Sequence, residues 1–357
     1  MWAYILRRLL FMIPTLFGIM LISFAIMEFV PGGPVERMIA TLQGLDQGGG
    51  SETGAAAAAN GAQGVLKGSQ GVDPALVAQL RKQFGFDKPA PVRFWLLVRN
   101  YLTFNFGESY FRKIAVVDLI KEKLPVSISL GLWMFFVSHI ISIPLGVAKA
   151  MREGSRFDAW TSALVIVAYA VPSFVFAILM ITLFSGGSFW SIFPLRGLKS
   201  ENFAQLDHFH QALDYLHHLV LPVASLMLGS FATTTLLTKN SFLEEIRKAY
   251  VQTARMKGLT ERRVLYGHVF RNAMLIVVAG LPGAFLGAFF TGALLIEQVF
   301  NLDGLGLLSY ESILKRDYAV VLANLYIFGG LGLLVNLLTD LTYAWIDPRI
   351  DFESRGA

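Results

Sequence analysis

The sequence contains no cysteine, and only 15% of its 357 residues are charged. Without cysteine the chain can form no disulfide, no thiolate metal site, no iron–sulfur cluster and no cysteine nucleophile. Soluble proteins usually carry charge on about 25% of their residues, whereas here 55% of the residues are hydrophobic and the mean hydropathy is +0.56. The composition therefore excludes several enzyme classes and predicts a protein that lies mainly in a lipid bilayer.

The sequence also lacks the motifs of ATP hydrolysis and proteolysis. A phosphate-binding loop ends in Gly-Lys-Ser/Thr, because backbone amides, a lysine and a hydroxyl must meet phosphate and magnesium together, and no Gly-Lys pair occurs in this chain. HExxH is absent, and Gly187-Ser188-Phe189 lacks the second glycine of a nucleophile elbow. We therefore predict no catalytic residue, no cofactor and no resident metal, and any ATP energy must come from another subunit.

Six stretches without Asp, Glu, Lys or Arg are long enough to cross the bilayer, which takes about 20 apolar residues. They predict an all-α membrane protein with six spans. Among histidine, lysine, arginine and the acidic residues, only His139 occurs within these spans. The predicted spans are Leu9–Met27, Leu124–Ala148, Ala159 to about Phe184, Leu219–Thr238, Ala273–Ile296 and Ala319–Thr339.

The distribution of Lys and Arg predicts that both termini are cytoplasmic. With that orientation, half of these residues lie in the inside segments, whereas the two short outside loops hold only Arg196, Lys199, Lys315 and Arg316. The long segment 28–123 is discounted, because long loops cross the membrane largely regardless of their charge. The net charge of +5 therefore indicates membrane orientation and not an anionic partner.

The chain divides by composition into four regions. Residues 1–30 form a tail and the first span, 31–123 an outside subdomain, 124–345 the membrane core, and 346–357 an inside tail. Within the outside subdomain, 44–72 is rich in Gly and Ala and is predicted to be flexible. A helix is predicted from Asp73 and Pro74 to a stop at Gly85, and the segment Phe94–Phe106 is predicted to be an interfacial helix.

The basic inside loop 239–272 is predicted to form two helices joined by a glycine elbow. Ser241 and Glu244 have the spacing of a capping box, which predicts a helix start there. Gly258 can end that helix in the left-handed conformation, and Thr260 can begin the next helix. A protrusion of this shape is typical of a docking element, although a solvated basic loop would have the same charge.

Three other features have both a structural and a functional interpretation. His139 is predicted to be a packing residue with a satisfied hydrogen bond. Small residues at four-residue spacing in the fifth span predict close helix packing, and the prolines within spans predict kinks. Four histidines could ligate zinc, although a plain polar loop is the favoured interpretation; they are His208, His210, His217 and His218.

The loop sequence YVQTARMKGLTERRVLYGHVFRNA, residues 250–273, resembles the coupling loop of ABC-type importer permeases. Nearly the whole chain carries further matches to the B-type permease subunit of oligopeptide and dipeptide importers, and SRFD (155–158) and FPLRGL (193–198) resemble the Yej-type branch. The other matches are FVPGGP (29–34), FGFDKP (84–89), FGES (106–109), LPVSISLGL (124–132), IEQVFNLDGLG (296–306), RDY (316–318) and DPR (347–349).

The resemblance implies the type I ABC importer permease fold in the bacterial inner membrane, and uptake of oligopeptides or microcin C-like compounds. It implies a second similar permease, two cytoplasmic ATPases and a periplasmic peptide-binding protein as partners. The family's Glu-Ala-Ala…Gly pattern falls on Gln252, Thr253, Ala254 and Gly258, so two of its three opening residues differ. With Arg255 and Lys257, these residues are the predicted coupling site.

Two alternative functions remain open from the sequence. An ion-coupled secondary transporter or channel would need charged residues within its spans or an inverted repeat, and we find neither. A structural scaffold for a membrane complex would need no substrate path, so only trapping of a substrate distinguishes it.

Overall fold

The computed structural model describes residues 2–30, 33–42, 74–83, 85–186, 189–290 and 293–346. The predicted flexible segment 44–72, Asp73, and the matched DPR triplet lie outside these residues. Within them the chain is helical, with one isolated β-bridge between Glu108 and Ala115. It divides into two compact units, one made of residues 123–307 and 334–346 and the other of residues 2–122 and 308–333.

Five helices are long and apolar enough to cross a membrane, and a bent helix pair provides a sixth candidate span. This count agrees with the six spans predicted from the sequence. The five are Tyr4–Phe29, Val116–Met151, His208–Ile246, Glu261–Phe285 and Tyr318–Thr342, of which Glu261–Phe285 runs through three consecutive helical elements.

The first unit is built around the helix His208–Ile246. Its other elements are Val116–Met151 from residue 123 onward, Arg156–Ala170, Ser173–Phe184, a 3₁₀ turn Phe203–Gln205, Ala249–Met256, Glu261–Val264, a π-helical turn Leu265–Val269, Phe270–Phe290, Ala293–Val299, and the last part of Tyr318–Ile346. The helix His208–Ile246 packs against Phe270–Phe290 and against both helices of the bent pair.

Three apolar clusters follow this central helix. Near its first turns, Leu219 and Val223 pack with Leu130, Ile296 and Phe300. A second cluster, around Met134, Phe135 and Ala288, lies further along, and a third surrounds Phe242. Where the helices are out of contact with lipid, each Å² of apolar surface that is buried in such a cluster contributes about 25 cal/mol to the stability of the fold.

The third predicted span is bent by 102° between Ala170 and Ser173. Val171 is extended, with φ −83° and ψ 121°, because the ring of Pro172 disfavours helical backbone in the residue before it. The predicted kink is therefore confirmed at this proline as a complete break, whereas the helices continue through Pro14, Pro144 and Pro282.

One other sequence prediction is corrected. In the fifth span, the described helices are Phe270–Phe290 and Ala293–Val299, and residues 291–292 between them lie outside the described residues. Ser241 begins no helix, because it lies inside His208–Ile246, where its hydroxyl donates to the Ala273 carbonyl at 2.6 Å. The chain needs no cap there, since the backbone amides are already bonded within the helix.

The small residues of the fifth span differ in their packing, and Ala288 is buried with Met134 and Phe135. A Cβ on Gly280 would have no neighbour within 4 Å in the described structure, and one on Gly283 would make only ordinary contact with Thr339. A much closer approach occurs at Gly146, where a Cβ would lie 2.6 Å from the Thr238 Cβ and 2.8 Å from the Thr235 carbonyl. A side chain at residue 146 would therefore push apart the helices Val116–Met151 and His208–Ile246.

The second unit begins with the helix Trp2–Phe29. It continues with Pro34–Leu42, Pro74–Gln83, Ala90–Leu102, the start of Val116–Met151, Leu305–Lys315 from residue 308, and the first part of Tyr318–Ile346. The predicted helix beginning at Pro74 is confirmed, and Gly85 follows it with φ +74°. A helix is present at Ala90–Leu102, four residues earlier than the predicted segment Phe94–Phe106, and its interfacial location stays a prediction.

Aromatic and polar contacts hold the second unit together. The Phe94 ring packs against Phe17 and Phe24, with centroids 5.5 and 5.4 Å away. The Asp317 carboxylate accepts bonds from the Ser109 hydroxyl and, at 3.2 Å, from the Tyr110 amide. Burial, reinforced by Asp317, raises the pKa of Tyr110 to about 12, so this phenol stays neutral.

Candidate functional site

The elbow is the turn between the helices Ala249–Met256 and Glu261–Val264. Gly258 has φ +75°, a left-handed conformation that costs a side-chain-bearing residue about 1–2 kcal/mol. The Gly258 amide donates to the Arg255 carbonyl at 2.9 Å, and the Lys257 amide donates to the Thr253 carbonyl at 3.1 Å. The predicted glycine stop is confirmed, and Thr260 precedes the next helix with extended backbone, as predicted.

The inner side of the elbow packs against the membrane helices. Val251 and Ala254 are buried in the cluster around Phe242, together with Val264 and Val269. Because these apolar contacts come from both arms of the turn, the elbow is held as one packed element. Among the predicted coupling residues, Ala254 thus faces inward, whereas the others are exposed; these are Gln252, Thr253, Arg255, Lys257 and Gly258.

The outer side of the elbow combines apolar and basic groups. Met256 is 81% exposed, so its apolar side chain is available to a partner. In the following segment, a cavity of about 370 Å³ is lined by Thr260, Arg262, Arg263 and Tyr266. An apolar side chain, arginines and a tyrosine on one loop have the composition of a protein–protein interface.

One ion pair joins the two arms of the elbow. The Arg255 Nε and Nη2 donate to the two Glu261 carboxylate oxygens at 2.9 and 3.1 Å. The side chains are 41% and 62% exposed, and an exposed pair of this kind contributes about 0.2–1 kcal/mol. The pair therefore orients the turn more than it stabilises the fold.

A partly exposed hydrogen-bond chain connects the elbow to the helix of the fifth span. The Tyr250 hydroxyl donates to Glu245 at 2.6 Å and accepts a bond from the Asn272 amide at 3.1 Å. Burial and the bond to Glu245 raise the pKa of Tyr250, so the phenol remains a donor. The two ends of the loop 239–272 are thus tied to each other.

The base of the elbow contains charges that the sequence analysis did not assign to any site. Lys149 is fully buried and donates to the Thr161 and Ser162 hydroxyls at 2.9 and 2.7 Å. Asp158 pairs with Lys149 at 3.1 Å and with Lys239 at 2.7 Å. Each of these three residues lies within two residues of a predicted span boundary, where a charged residue is expected to flank the membrane. Their contact with one another arises only when three helices pack together.

Glu297 forms a second polar centre that the sequence analysis did not identify. Its side chain is fully buried, and its oxygens accept bonds from the Leu307 amide and the Ser127 hydroxyl, both at 2.8 Å. The Ser127 oxygen accepts in turn from the Leu305 amide at 2.8 Å. Burial raises the pKa of Glu297. The signal that could have found it is a carboxylate directly after an uncharged span.

Residues 142–352 match the protein family described as the binding-protein-dependent transport system inner membrane component. The chain belongs to this family. It is 58% identical to the peptidoglycan transport system permease protein YejB of Agrobacterium fabrum, with 99% of this chain and 100% of that protein covered. It is 50% identical to the inner membrane ABC transporter permease protein YejB of Escherichia coli O157:H7, with the same coverage, and 33% identical to the oligopeptide transport system permease protein AppB of Bacillus subtilis, again with 99% and 100% covered.

Family membership confirms the fold class, the membrane location and the absence of ATPase chemistry that the sequence predicted. The chain is a multi-pass permease subunit of an ABC importer in the inner membrane. An importer of this kind works with a binding protein and an ATPase. The elbow and the Glu297 centre both lie within the matched residues.

The four histidines predicted to lie in a loop are on the first part of the helix His208–Ile246, so the loop prediction was wrong there, and the structure does not bring them together. Within the described ranges, no group of three or more His, Cys, Asp or Glu side chains could hold a metal ion. His210 contacts Asp207, His217 lies 5.1 Å from the Phe193 ring, and His218 bonds the Asp214 carbonyl at 2.7 Å. His139 bonds the Phe135 carbonyl at 2.8 Å, which confirms its predicted packing role.

Proposed function

We propose that this permease forms half of the path of a peptide importer and receives the ATP-driven movement at its elbow. The observation that carries the proposal is the two-sided elbow: Val251 and Ala254 anchor it within the membrane unit, while Gln252, Thr253 and Met256 face outward. An element anchored in this way transmits a displacement to the helices behind it, because packed interiors move between discrete arrangements and do not deform continuously.

The expected docking partner is one of two cytoplasmic ATPase subunits. The loop 239–272 carries eight of the 30 Lys and Arg residues, so the positive-inside rule favours its cytoplasmic location together with both termini. A cleft between the arms of an ATPase that accepts Met256 would cover the exposed methionine. The residues we assign to coupling are Gln252, Thr253, Arg255, Lys257 and Gly258, with Ala254 as the inward anchor.

The base of the elbow supports rigid coupling. Lys149, Asp158 and Lys239 join three helices through ion pairs of 2.7 and 3.1 Å. Breaking such a buried network leaves an uncompensated charge and costs several kcal/mol. Movement of the elbow therefore carries these helix ends with it. Alternating access then arises when this bundle and that of a second, similar permease rock about the path between them.

The cargo we propose is oligopeptides or peptide-like compounds, including microcin C-like ones. Its support is the resemblance of the chain to peptide permeases and the printed names of its relatives, one a peptidoglycan transport permease and one an oligopeptide transport permease. A periplasmic binding protein supplies most of the selection. Uptake competition between a cell-wall peptide and an unrelated oligopeptide distinguishes the two cargo classes.

The test replaces Gly258 with valine in the complete importer reconstituted into vesicles. The strain of about 1–2 kcal/mol corresponds to a loss of about five- to thirtyfold in the population of the native turn. We expect the peptide taken up per ATP hydrolysed to fall by a similar factor, while the permease still inserts into the membrane.

Gly107→Val is the matched control. Gly107 has φ +75°, and, like Gly258, its Cβ position has no neighbour within 4 Å among the described residues, but it lies outside both the elbow and the Lys149–Asp158–Lys239 network. Equal loss of coupling in both variants, or normal coupling in Gly258→Val, would count against the elbow. Tagged permease that purifies without an ATPase would contradict the partner assignment itself.

A further inference from the structure

The second unit contains a cavity of about 280 Å³ at the ends of two candidate spans. Phe24 and Glu28 contribute from the end of the helix Trp2–Phe29, and Tyr318 and Leu322 from the start of Tyr318–Ile346. Because one span ends and the other begins there, the cavity lies at the level where the chain leaves the hydrocarbon. This is the level of the lipid headgroups.

Arg93 is the main polar group of the cavity. Its Nη2 pairs with Glu28, and its guanidinium lies 4.7 Å from the Phe86 ring centroid and 5.8 Å from that of Phe24. Its Nε is buried and has no hydrogen-bond partner among the described residues. An unsatisfied guanidinium donor is costly in a site of low dielectric constant, so the site favours an acceptor from outside the chain.

Lys88 and Tyr318 are further polar groups of the cavity, which Asn100 and Tyr110 also line. Lys88 lies on its rim, and the Tyr318 hydroxyl is buried without a hydrogen-bond partner in the described part of the chain. Lys88 and Arg93 against Glu28 leave one net positive charge. Arginine and lysine with a neutral hydroxyl suit a singly charged phosphate diester, since Arg supplies directed donors and Lys supplies charge.

Most of the other lining residues are apolar, and the helix that supplies several of them also carries exposed apolar side chains. Leu96, Leu97 and Leu322 line the cavity. On the outer side of the helix Ala90–Leu102, Trp95 is 65% exposed and Leu102 is 68% exposed. Exposed tryptophan and leucine at a span end are typical of a helix lying in the membrane interface.

We propose that this cavity binds the headgroup of an anionic phospholipid. The phosphate lies against Arg93 and Lys88, with the Tyr318 hydroxyl as an additional donor. The volume accommodates the headgroup and glycerol, and the acyl chains follow Leu96 and Leu97 into the surrounding bilayer. The bound lipid thereby supplies the acceptor for the arginine Nε and fixes the helix Ala90–Leu102 beside the first span.

Native mass spectrometry of the full-length permease, released from mixed micelles containing phosphatidylglycerol, tests the proposal. We expect the wild type to retain phosphatidylglycerol, and Arg93→Gln to retain about tenfold less, because the variant loses the charge-assisted bond to the phosphate. Arg99→Gln is the matched control, since Arg99 is exposed on the same helix and does not line the cavity.

Leu97→Trp separates lipid binding from the ion pair with Glu28. It fills the cavity without changing any charge, so we expect lipid retention to fall while Arg93 and Glu28 stay paired. Equal retention in Arg93→Gln and Arg99→Gln would overturn the proposal. Displacement of the lipid by inorganic phosphate alone, or by a peptide cargo, would also overturn it and assign the site to those ligands.

Discussion

The elbow and the Glu297 centre both depend on glycine, but for opposite reasons. At the elbow, Gly258 has φ +75°, and its Cβ position is open within 4 Å, so glycine is needed for backbone conformation. At the Glu297 centre, a Cβ on Gly304 would lie 2.4 Å from the Glu297 carboxylate, and one on Gly306 would lie 2.7 Å from the Leu294 Cα. There glycine is needed for close approach.

The difference shows which region completes its contacts within the chain. The Glu297 carboxylate accepts hydrogen bonds from an amide and a hydroxyl of its own unit, so this site needs no partner from another protein. The elbow buries only its inner side and leaves Met256 81% exposed. A surface of the second kind is completed by another protein, whereas one of the first kind stabilises the fold alone.

The largest effect is expected for Glu297→Ala. The substitution leaves the buried Leu307 amide and Ser127 hydroxyl without their acceptor and opens a cavity, at a cost of about 3 kcal/mol. Thermal unfolding of the purified permease in detergent should show a lower midpoint. Gln252→Ala on the exposed elbow is the control, and an equal shift in both would remove the distinction between the two regions.

Gly306→Ala should cost somewhat less, about 2 kcal/mol, because its Cβ meets the Leu294 backbone, which cannot rotate away. The same measurement on Gly280→Ala should show no loss, since that glycine is helical and has open space around it. Equal stability of the two variants would mean that residues 304–306 do not pack closely.

The pH dependence of stability provides a third test. Because burial raises the pKa of Glu297, the folded state holds this proton more tightly than the unfolded state does. Its contribution to stability is therefore present below the ordinary carboxyl pKa of about 4.3 and is lost as the pH rises through the raised value. Glu297→Gln should lack this loss, so unfolding midpoints measured across the acidic to neutral range should diverge from those of the wild type with increasing pH. Parallel curves would contradict a raised pKa.

The smallest effect on stability is expected for Arg255→Gln at the elbow. Loss of an exposed ion pair costs about 0.5 kcal/mol and is screened by salt. The unfolding midpoint should therefore hardly change, whereas the rate of peptide uptake in the assembled importer should decrease. A large stability loss would show that the elbow is as self-contained as the Glu297 centre.

Much of the fold could be predicted, because a long apolar run indicates directly that the segment lies in lipid and not in water. The elbow was predictable as well, since Gly258 and Thr260 act on the backbone locally. The break at Pro172 was foreseen only as a kink, because the bend angle depends on what the two half-helices pack against. The capping-box prediction failed at Ser241 because the spacing of two residues does not reveal that the preceding span continues through them.

The sequence by itself determined the number of candidate spans, the glycine turn of the elbow and the absence of nucleotide chemistry, because each depends on neighbouring residues. Only the tertiary structure decided that Ala254 faces inward and that Asp158 pairs with both Lys149 and Lys239. It also decided that Glu297 accepts a bond from the Leu307 amide. These contacts join residues distant in the chain, and their energies depend on distances and burial that arise when helices pack.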